Sequence, residues 1–256
     1  MSGMWTAVAF FTVVPVPRAI GADFAPAAAV RWFAPLGLVL GAALALAAAG
    51  AWEIVPPLVA AVLLVALWII ATGALHIDGL ADCADATIAP VSQERRLAIL
   101  QDPAHGTFAT VTVLLVVLLK VAVLASTTGR EAAAAVFVAP VVARGLLPPV
   151  MRFAPVIRSG GLGEAARPGA TTPVVVLSIV IAAAASILVF GWPGLAALGV
   201  AAVSVVAMGS WLVARLGGMN GDGYGAVVEM AEAVTLLAVL VLLREGYADA
   251  WEVFPW

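Results

Sequence analysis

Residues 73–86 read GALHIDGLADCADA and gather Asp78, Asp82 and Asp85 beside His76. The aspartates stand at i, i+4 and i+7, which places them on one face of a helix. Carboxylates crowded on one stripe repel each other, and their pKa values rise unless a cation sits between them. Hard oxygen donors at this density suit Mg²⁺, Mn²⁺ or Ca²⁺ better than zinc or copper. The competing reading is a solvated acidic loop. Against it, the stripe directly follows one of the most apolar runs of the chain, and no Lys or Arg lies between Arg31 and Arg95 to offset it. Metal binding by Asp78, Asp82 and Asp85 is therefore expected.

A second polar cluster is QDPAHGTFA, residues 101–109. Asp102 precedes a proline and could serve only as a turn residue or helix cap. His105 and Gly106 could let the backbone approach a phosphate. A third cluster, RLGGMNGDGYGAVVEMAEA, covers residues 215–233 and holds Arg215, Gly218, Asn220, Gly221, Asp222, Glu229 and Glu232. Its glycine-rich stretch could press backbone N–H groups against an anion, to which the following helix would offer its positive end. Glu229 and Glu232 fall in the first turns of an apolar segment, where ionisable groups are costly and usually face the bundle interior. Lys120 and Arg144 are lone cations in apolar segments. Either could snorkel to the surface, but Lys120 is nearer mid-segment, and Glu229, Glu232 or a substrate phosphate would be its inward partner. Carboxylates for a divalent ion, a glycine loop for an anion and cations for the remaining charge are the equipment of phosphoryl or phosphodiester transfer. No P-loop, HExxH or GxSxG motif is present.

The elements that position these groups are apolar. Of 256 residues, 64% are hydrophobic and 11% charged, with a mean hydropathy of +1.14; a soluble domain carries roughly a quarter charged residues. Seven segments approach the length of about 20 apolar residues that a bilayer demands. They are 33–52, 57–74, 108–127, 132–150, 173–192, 195–214 and 225–243. The expected fold is all-α, one polytopic membrane bundle in a single domain over 1–256. Residues 4–14 are too short to span, and should lie in the interface or fold back on the bundle.

Counting positive charges orients the bundle. With the N-terminus on side A, that side holds Arg18, Arg31, Arg95, Arg96, Arg152, Arg158, Arg167 and Arg215, whereas side B holds Arg130 and Arg244. Side A should be cytoplasmic, and the polar connections 75–107, 151–172 and 215–224 all fall there. A net charge of −3 and the absence of a basic stripe argue against a nucleic-acid partner. Cys83 is the sole cysteine, so no disulfide forms within one chain.

Five blocks in order, FFTVVPVP (10–17), RWFAPLGLVLG (31–41), LHIDGLADCADA (75–86), ILQDPAHGTFA (99–109) and RLGGMNGDGYGAVVEMAEAVTLL (215–237), resemble the cobalamin synthase family, the membrane ribazoletransferases acting on adenosylcobinamide-GDP. The resemblance covers nearly the whole chain. It implies a Mg²⁺-dependent (or Mn²⁺-dependent) transfer of cobinamide phosphate from adenosylcobinamide-GDP to α-ribazole or its 5′-phosphate, releasing GMP. It carries a metal role onto Asp78, Asp82, Asp85 and Asp222, and matches a family lysine at Lys120. Departures are Asn220, Ala109, Cys83 and Ala86, where family members often have Thr, Gly, Thr and Gly. They put fine substrate preference in doubt more than the reaction. His76 or one aspartate would accept the proton of the ribazole hydroxyl, with Asp82, His76 and Lys120 as the catalytic set. Asp102, His105, Gly106, Arg144, Arg215, Gly218, Asn220, Gly221, Glu229 and Glu232 would hold substrate. Membrane lipid surrounds the protein on this reading, and self-association into a homo-oligomer is an open option.

Two rivals separate on residues. CDP-alcohol phosphotransferases carry DG-x2-AR followed by G-x3-D-x3-D; here DGLAD begins alike, but Asp82 and Cys83 stand where that pattern has its Ala and Arg, and the second half is missing. A cation transporter would line a route through the membrane with Asp78, Asp82, Glu229 and Glu232. Such carriers often show paired, interrupted halves, and no such pairing is seen.

Overall fold

The structure, a computed structural model, describes residues 2–16, 24–157 and 161–250. Arg18 and Arg158 of the charge count lie outside these. Helix α1 (Ser2–Phe11) precedes a short α2 (Pro26–Ala29), which runs through a 3₁₀ turn into α3 (Phe33–Ile54). Then come α4 (Pro57–Ala71), α5 (Leu75–Ile88), α6 (Gln93–Ile99), α7 (Thr107–Ala125) and α8 (Gly129–Phe153). The chain closes with α9 (Leu162–Ala166), α10 (Thr172–Phe190), α11 (Gly194–Leu216) and α12 (Gly221–Arg244). Among the described residues the only pairing of extended backbone is an isolated bridge, Val156 to Met219.

Six of the seven expected spans are helices long and apolar enough to cross a membrane. The second differs. Helix α4 has 15 residues, or about 22 Å at 1.5 Å per residue, short of a hydrocarbon core of about 30 Å. It meets α5 at 89°. The turn is made by Gly73 (φ +61°) and Ala74 (φ +57°), conformations natural to glycine and costly for alanine. The bend turns α5, and the aspartates it carries, sharply away from the axis of α4. The fifth and sixth expected segments, which only Pro193 and Gly194 separate, are distinct helices: Gly191 has φ +63° and α11 begins at Gly194.

Helix α8 is the axle of the bundle, with almost every residue from Ala132 to Pro148 buried. Helix α3 lies against it through Gly37 and Gly41, where a Cβ would strike the backbone at Pro140 and Phe137. Small residues four apart let two helices approach this closely in lipid. Helix α1 folds back on the bundle, as one of the two sequence readings had it: Phe11 meets Phe33 edge-on at 4.6 Å.

Candidate functional site

Helix α5 crosses the start of α12 with backbone against backbone. A Cβ on Gly79 would lie 2.7 Å from the Asp222 carbonyl oxygen, and one on Gly225 would lie 3.3 Å from the His76 Cα. Any larger side chain at either position would separate the helices. The contact brings Asp78 and Asp82 of α5 to Asp222 in the first turn of α12. Asn220 caps that turn, accepting from the Gly223 N–H at 2.9 Å and donating to Asp222 at 2.8 Å.

Asp82 shows what this convergence costs. Burial first, then the neighbouring Asp222 and Asp78 charges, push its carboxyl up to about 6. His105 works against that shift. Its ring lies between the two α5 acids, Nε2 3.5 Å from Asp78 and Nδ1 3.5 Å from Asp82. Among the described residues no three His, Cys, Asp or Glu side chains are gathered tightly enough to enclose a metal ion. The donor set itself, acids raising one another's proton affinity, is one that a hard divalent cation would relieve.

Asp85 behaves differently. Its carboxylate accepts from the Ala109 N–H at 2.9 Å and from the Gly106 N–H, the free amides at the N-terminus of α7. Such capping satisfies orphan donors and favours a negative charge at the positive helix end. The third acid of the stripe thus ties α7 to α5, and Gly106 permits it by lacking a Cβ that would press on that carboxylate. Arg96, not singled out from sequence, does the converse. Buried, it donates to the Ala86 and Thr87 carbonyls at 3.0 and 2.7 Å, closing the C-terminus of α5.

A cavity of about 350 Å³ opens beside these acids. Asp78, His76, Asn220, Gly221 and Asp222 border it, and Phe10, Phe11, Phe33, Met151 and Tyr224 form much of its wall. The sequence signal for this wall was slight: an aromatic pair ending a short N-terminal segment, and a tyrosine inside a glycine-rich motif. His76 is expected from sequence at the chemistry, and it does line the cavity. It is nevertheless buried, and burial followed by the Arg144 charge lowers its pKa to about 3. Such an imidazole stays neutral and is a poor proton acceptor.

The remaining candidates disperse. Lys120, Arg144, Glu229 and Glu232 form a buried ionic quartet deeper in the bundle. Lys120 Nζ lies 2.5 Å from Glu229 and 2.9 Å from Glu232, and Arg144 Nη1 lies 2.7 Å from Glu232. Lys120 also sits over the Trp68 ring at 4.5 Å. Arg144 does not snorkel; it is 0% exposed. None of the four borders the cavity. Asp102 accepts from the Ala104 N–H at 3.0 Å, the turn role its proline neighbour allowed. Arg215 packs over Trp211 at 4.4 Å. The glycine loop is shorter than the motif implies, because α12 starts at Gly221. Gly217, at φ +88°, ends α11, and Gly218 is pressed against the backbone of Val156 and Ile157. Only Gly221 of that stretch both borders the cavity and has open space above it.

Fold and site together define a polytopic all-helical membrane protein with a cluster of carboxylates at one end of its bundle. A family profile described as cobalamin-5-phosphate synthase matches residues 3–240. The adenosylcobinamide-GDP ribazoletransferase of Pseudomonas aeruginosa is 39% identical over 232 residues, covering 89% of this chain and 90% of that protein. The ribazoletransferases of Ectopseudomonas mendocina and Pseudomonas fluorescens Pf-5 are 36% and 34% identical, over 90% and 93% of this chain and 92% and 99% of their own. No solved structure matches. The chain belongs to the cobalamin-5-phosphate synthase family.

Proposed function

We propose that the protein transfers cobinamide phosphate from adenosylcobinamide-GDP to the hydroxyl of α-ribazole or its 5′-phosphate, releasing GMP. The observation that carries the reading is the meeting of Asp78, Asp82 and Asp222 beside a cavity with an aromatic wall. A pyrophosphate is what clustered acids and a divalent ion clamp. Asp78, Asp82 and Asp222 would hold Mg²⁺ (Mn²⁺ being the alternative), with Asp85 left to its helix cap. When bound, the ion would supply charge neutralisation to the pyrophosphate as GMP leaves.

The chain's own groups do the rest. Asn220 holds the Asp222 carboxylate in place, and the crossing at Gly79 fixes the distance between the two acidic helices. The new bond joins the ribazole oxygen to the phosphorus nearer cobinamide; the broken bond is that phosphorus to the bridging oxygen, whose electron pair leaves with GMP. The hydroxyl proton needs an acceptor within hydrogen-bond reach. His105, half-exposed between Asp78 and Asp82, is better placed for it than the buried His76. In the deciding assay, detergent-purified protein releases GMP from adenosylcobinamide-GDP only when α-ribazole and a divalent ion are both added. Release without α-ribazole, or none from folded protein, would overturn the reading.

The raised Asp82 carboxyl makes the metal testable without turnover. Its pKa of about 6 exceeds the unfolded value of about 3.9, so the folded state binds the extra proton. Without metal, this group favours folding increasingly as pH falls from 7 toward 4. Mg²⁺ must displace that proton at low pH. Its stabilising shift in Tm is expected to be large at pH 7.5 and small at pH 5; an equal shift at both would remove Asp82 from the ion.

We place this end of the bundle on the cytoplasmic face of the inner membrane. Arg31, Arg95, Arg96, Arg152, Arg167 and Arg215 support it, while Arg244 bonds to Ser126 at the far end. Ser92→Cys, on an exposed residue beside a buried native Cys83, should react with impermeant maleimide only in inside-out vesicles. Labelling of intact cells would invert the topology.

A further inference from the structure

The wall of the aromatic cavity includes two residues whose polar atoms have nothing to bond. His76 Nε2 and the Tyr224 hydroxyl are buried and have no hydrogen-bond partner, although His76 is 4% and Tyr224 5% exposed. Both residues border the cavity. Buried polar groups in native proteins are nearly always satisfied, and leaving one bare costs more than a made hydrogen bond gains. Two such residues in an otherwise largely apolar and aromatic lining describe a ligand by its complement: flat and largely apolar, with few polar positions.

We infer that this cavity is the subsite for the benzimidazole base of the acceptor nucleoside, with the Tyr224 hydroxyl as the contact of its one free ring nitrogen. The inference rests on the ribazoletransferase reading above and assigns one of its two heteroaromatic groups to a place. The alternative guest is the guanine of the donor. Guanine carries polar atoms around most of its perimeter, and a wall containing Phe10, Phe11, Phe33, Leu147, Met151 and Val228 would strip several of them of water without replacement. A benzimidazole has one ring nitrogen to satisfy and otherwise buries apolar surface against aromatic rings, where offset and edge-on contacts add to the gain. The volume, about 350 Å³, falls toward the small end of ligand sites, which run from about 300 to 1,000 Å³. Geometry completes the assignment. Asp78, Asn220 and Asp222 border the same cavity, so a base seated among the phenylalanines can extend its ribose toward the acids where phosphorus is transferred.

The test separates the two substrates' Michaelis constants. Tyr224→Phe removes a single oxygen and keeps the ring that packs on Gly163. It is expected to raise the KM for α-ribazole about fivefold, the effect of losing one hydrogen bond of ordinary net strength, with the KM for adenosylcobinamide-GDP unchanged. Leu162→Trp, at an exposed position on the cavity rim, should raise the same constant more strongly by narrowing entry. Equilibrium dialysis of α-ribazole without donor, challenged with GMP, adds a readout that needs no turnover. Retained α-ribazole in the presence of excess GMP supports the assignment. Displacement by GMP, a change in the donor's KM, or an α-ribazole KM indifferent to both variants overturns it. Tyr224-dependent α-ribazole binding by a protein that releases no GMP would sink the reaction while leaving the pocket standing. Normal turnover with an indifferent α-ribazole KM would do the opposite.

Discussion

Asp82→Asn is expected to lower kcat by roughly a hundredfold to ten-thousandfold, since a metal ion supplies several kcal/mol of charge stabilisation. The argument starts from its position. Asp82 is the α5 acid whose proton affinity is raised by both Asp222 and Asp78, and its side chain is the more enclosed of the two that flank His105. A neutral amide of the same shape removes the charge without emptying space. The thermal midpoint of the metal-free variant should accordingly match or exceed that of the parent, because mutual repulsion at the cluster is relieved. Steady-state GMP release at saturating Mg²⁺, together with a melting curve in detergent, checks both halves. A variant retaining a tenth or more of parental kcat would take Asp82 out of the chemistry.

Glu232→Ala should do the reverse, failing in the fold before it fails in catalysis. Glu232 is 1% exposed and neutralises Lys120 on one side and Arg144 on the other. Breaking a buried pair by removing one partner costs about 3–5 kcal/mol, because the surviving charge is stranded. Here two cations share that carboxylate, and Arg144 already has Nε and Nη2 without partners. With net stabilities of only about 5–15 kcal/mol, a steep loss of membrane-inserted, monodisperse protein is expected, together with a large fall in Tm. Fluorescence-detected size-exclusion of both variants side by side would show it. A well-folded Glu232→Ala protein with parental melting and no turnover would place the quartet in the reaction instead of in the architecture.

Much of this architecture was legible in the chain. The spans were set by uninterrupted Ala, Val and Leu, and α7, α8 and α10 to α12 begin and end within a few residues of where hydropathy put them. Local pattern carries such segments because lipid imposes one length on all of them. The i, i+4, i+7 spacing of the aspartates likewise described α5 correctly as one helix with one acidic face. It could not say which acids would remain free, since the amides that claim Asp85 come from residues 21 and 24 positions later. The 89° turn before α5 was also hidden. Thr-Gly-Ala reads as an ordinary end to an apolar run, and its left-handed alanine is an effect of packing. Lys120 and Arg144 posed a choice between surface and interior, and Lys120's predicted partners proved to be its actual ones. For Arg144 the nearness of a helix end suggested the surface, but a carboxylate 88 residues away outweighed it. Least visible was the aromatic wall, because Phe10, Phe33, Met151 and Tyr224 become neighbours only after α1 folds back.

The glycine crossing of α5 and α12 has a practical outcome for anyone who would redesign this protein. With main chain resting directly on main chain at Gly79, the reactive acids hang from a joint that has no adjustable padding, whereas the chamber beside it is upholstered with interchangeable side chains. Libraries built to accept altered nucleosides should therefore yield their winners among the phenylalanines, leucines and methionine of the chamber, and return only dead clones from the joint.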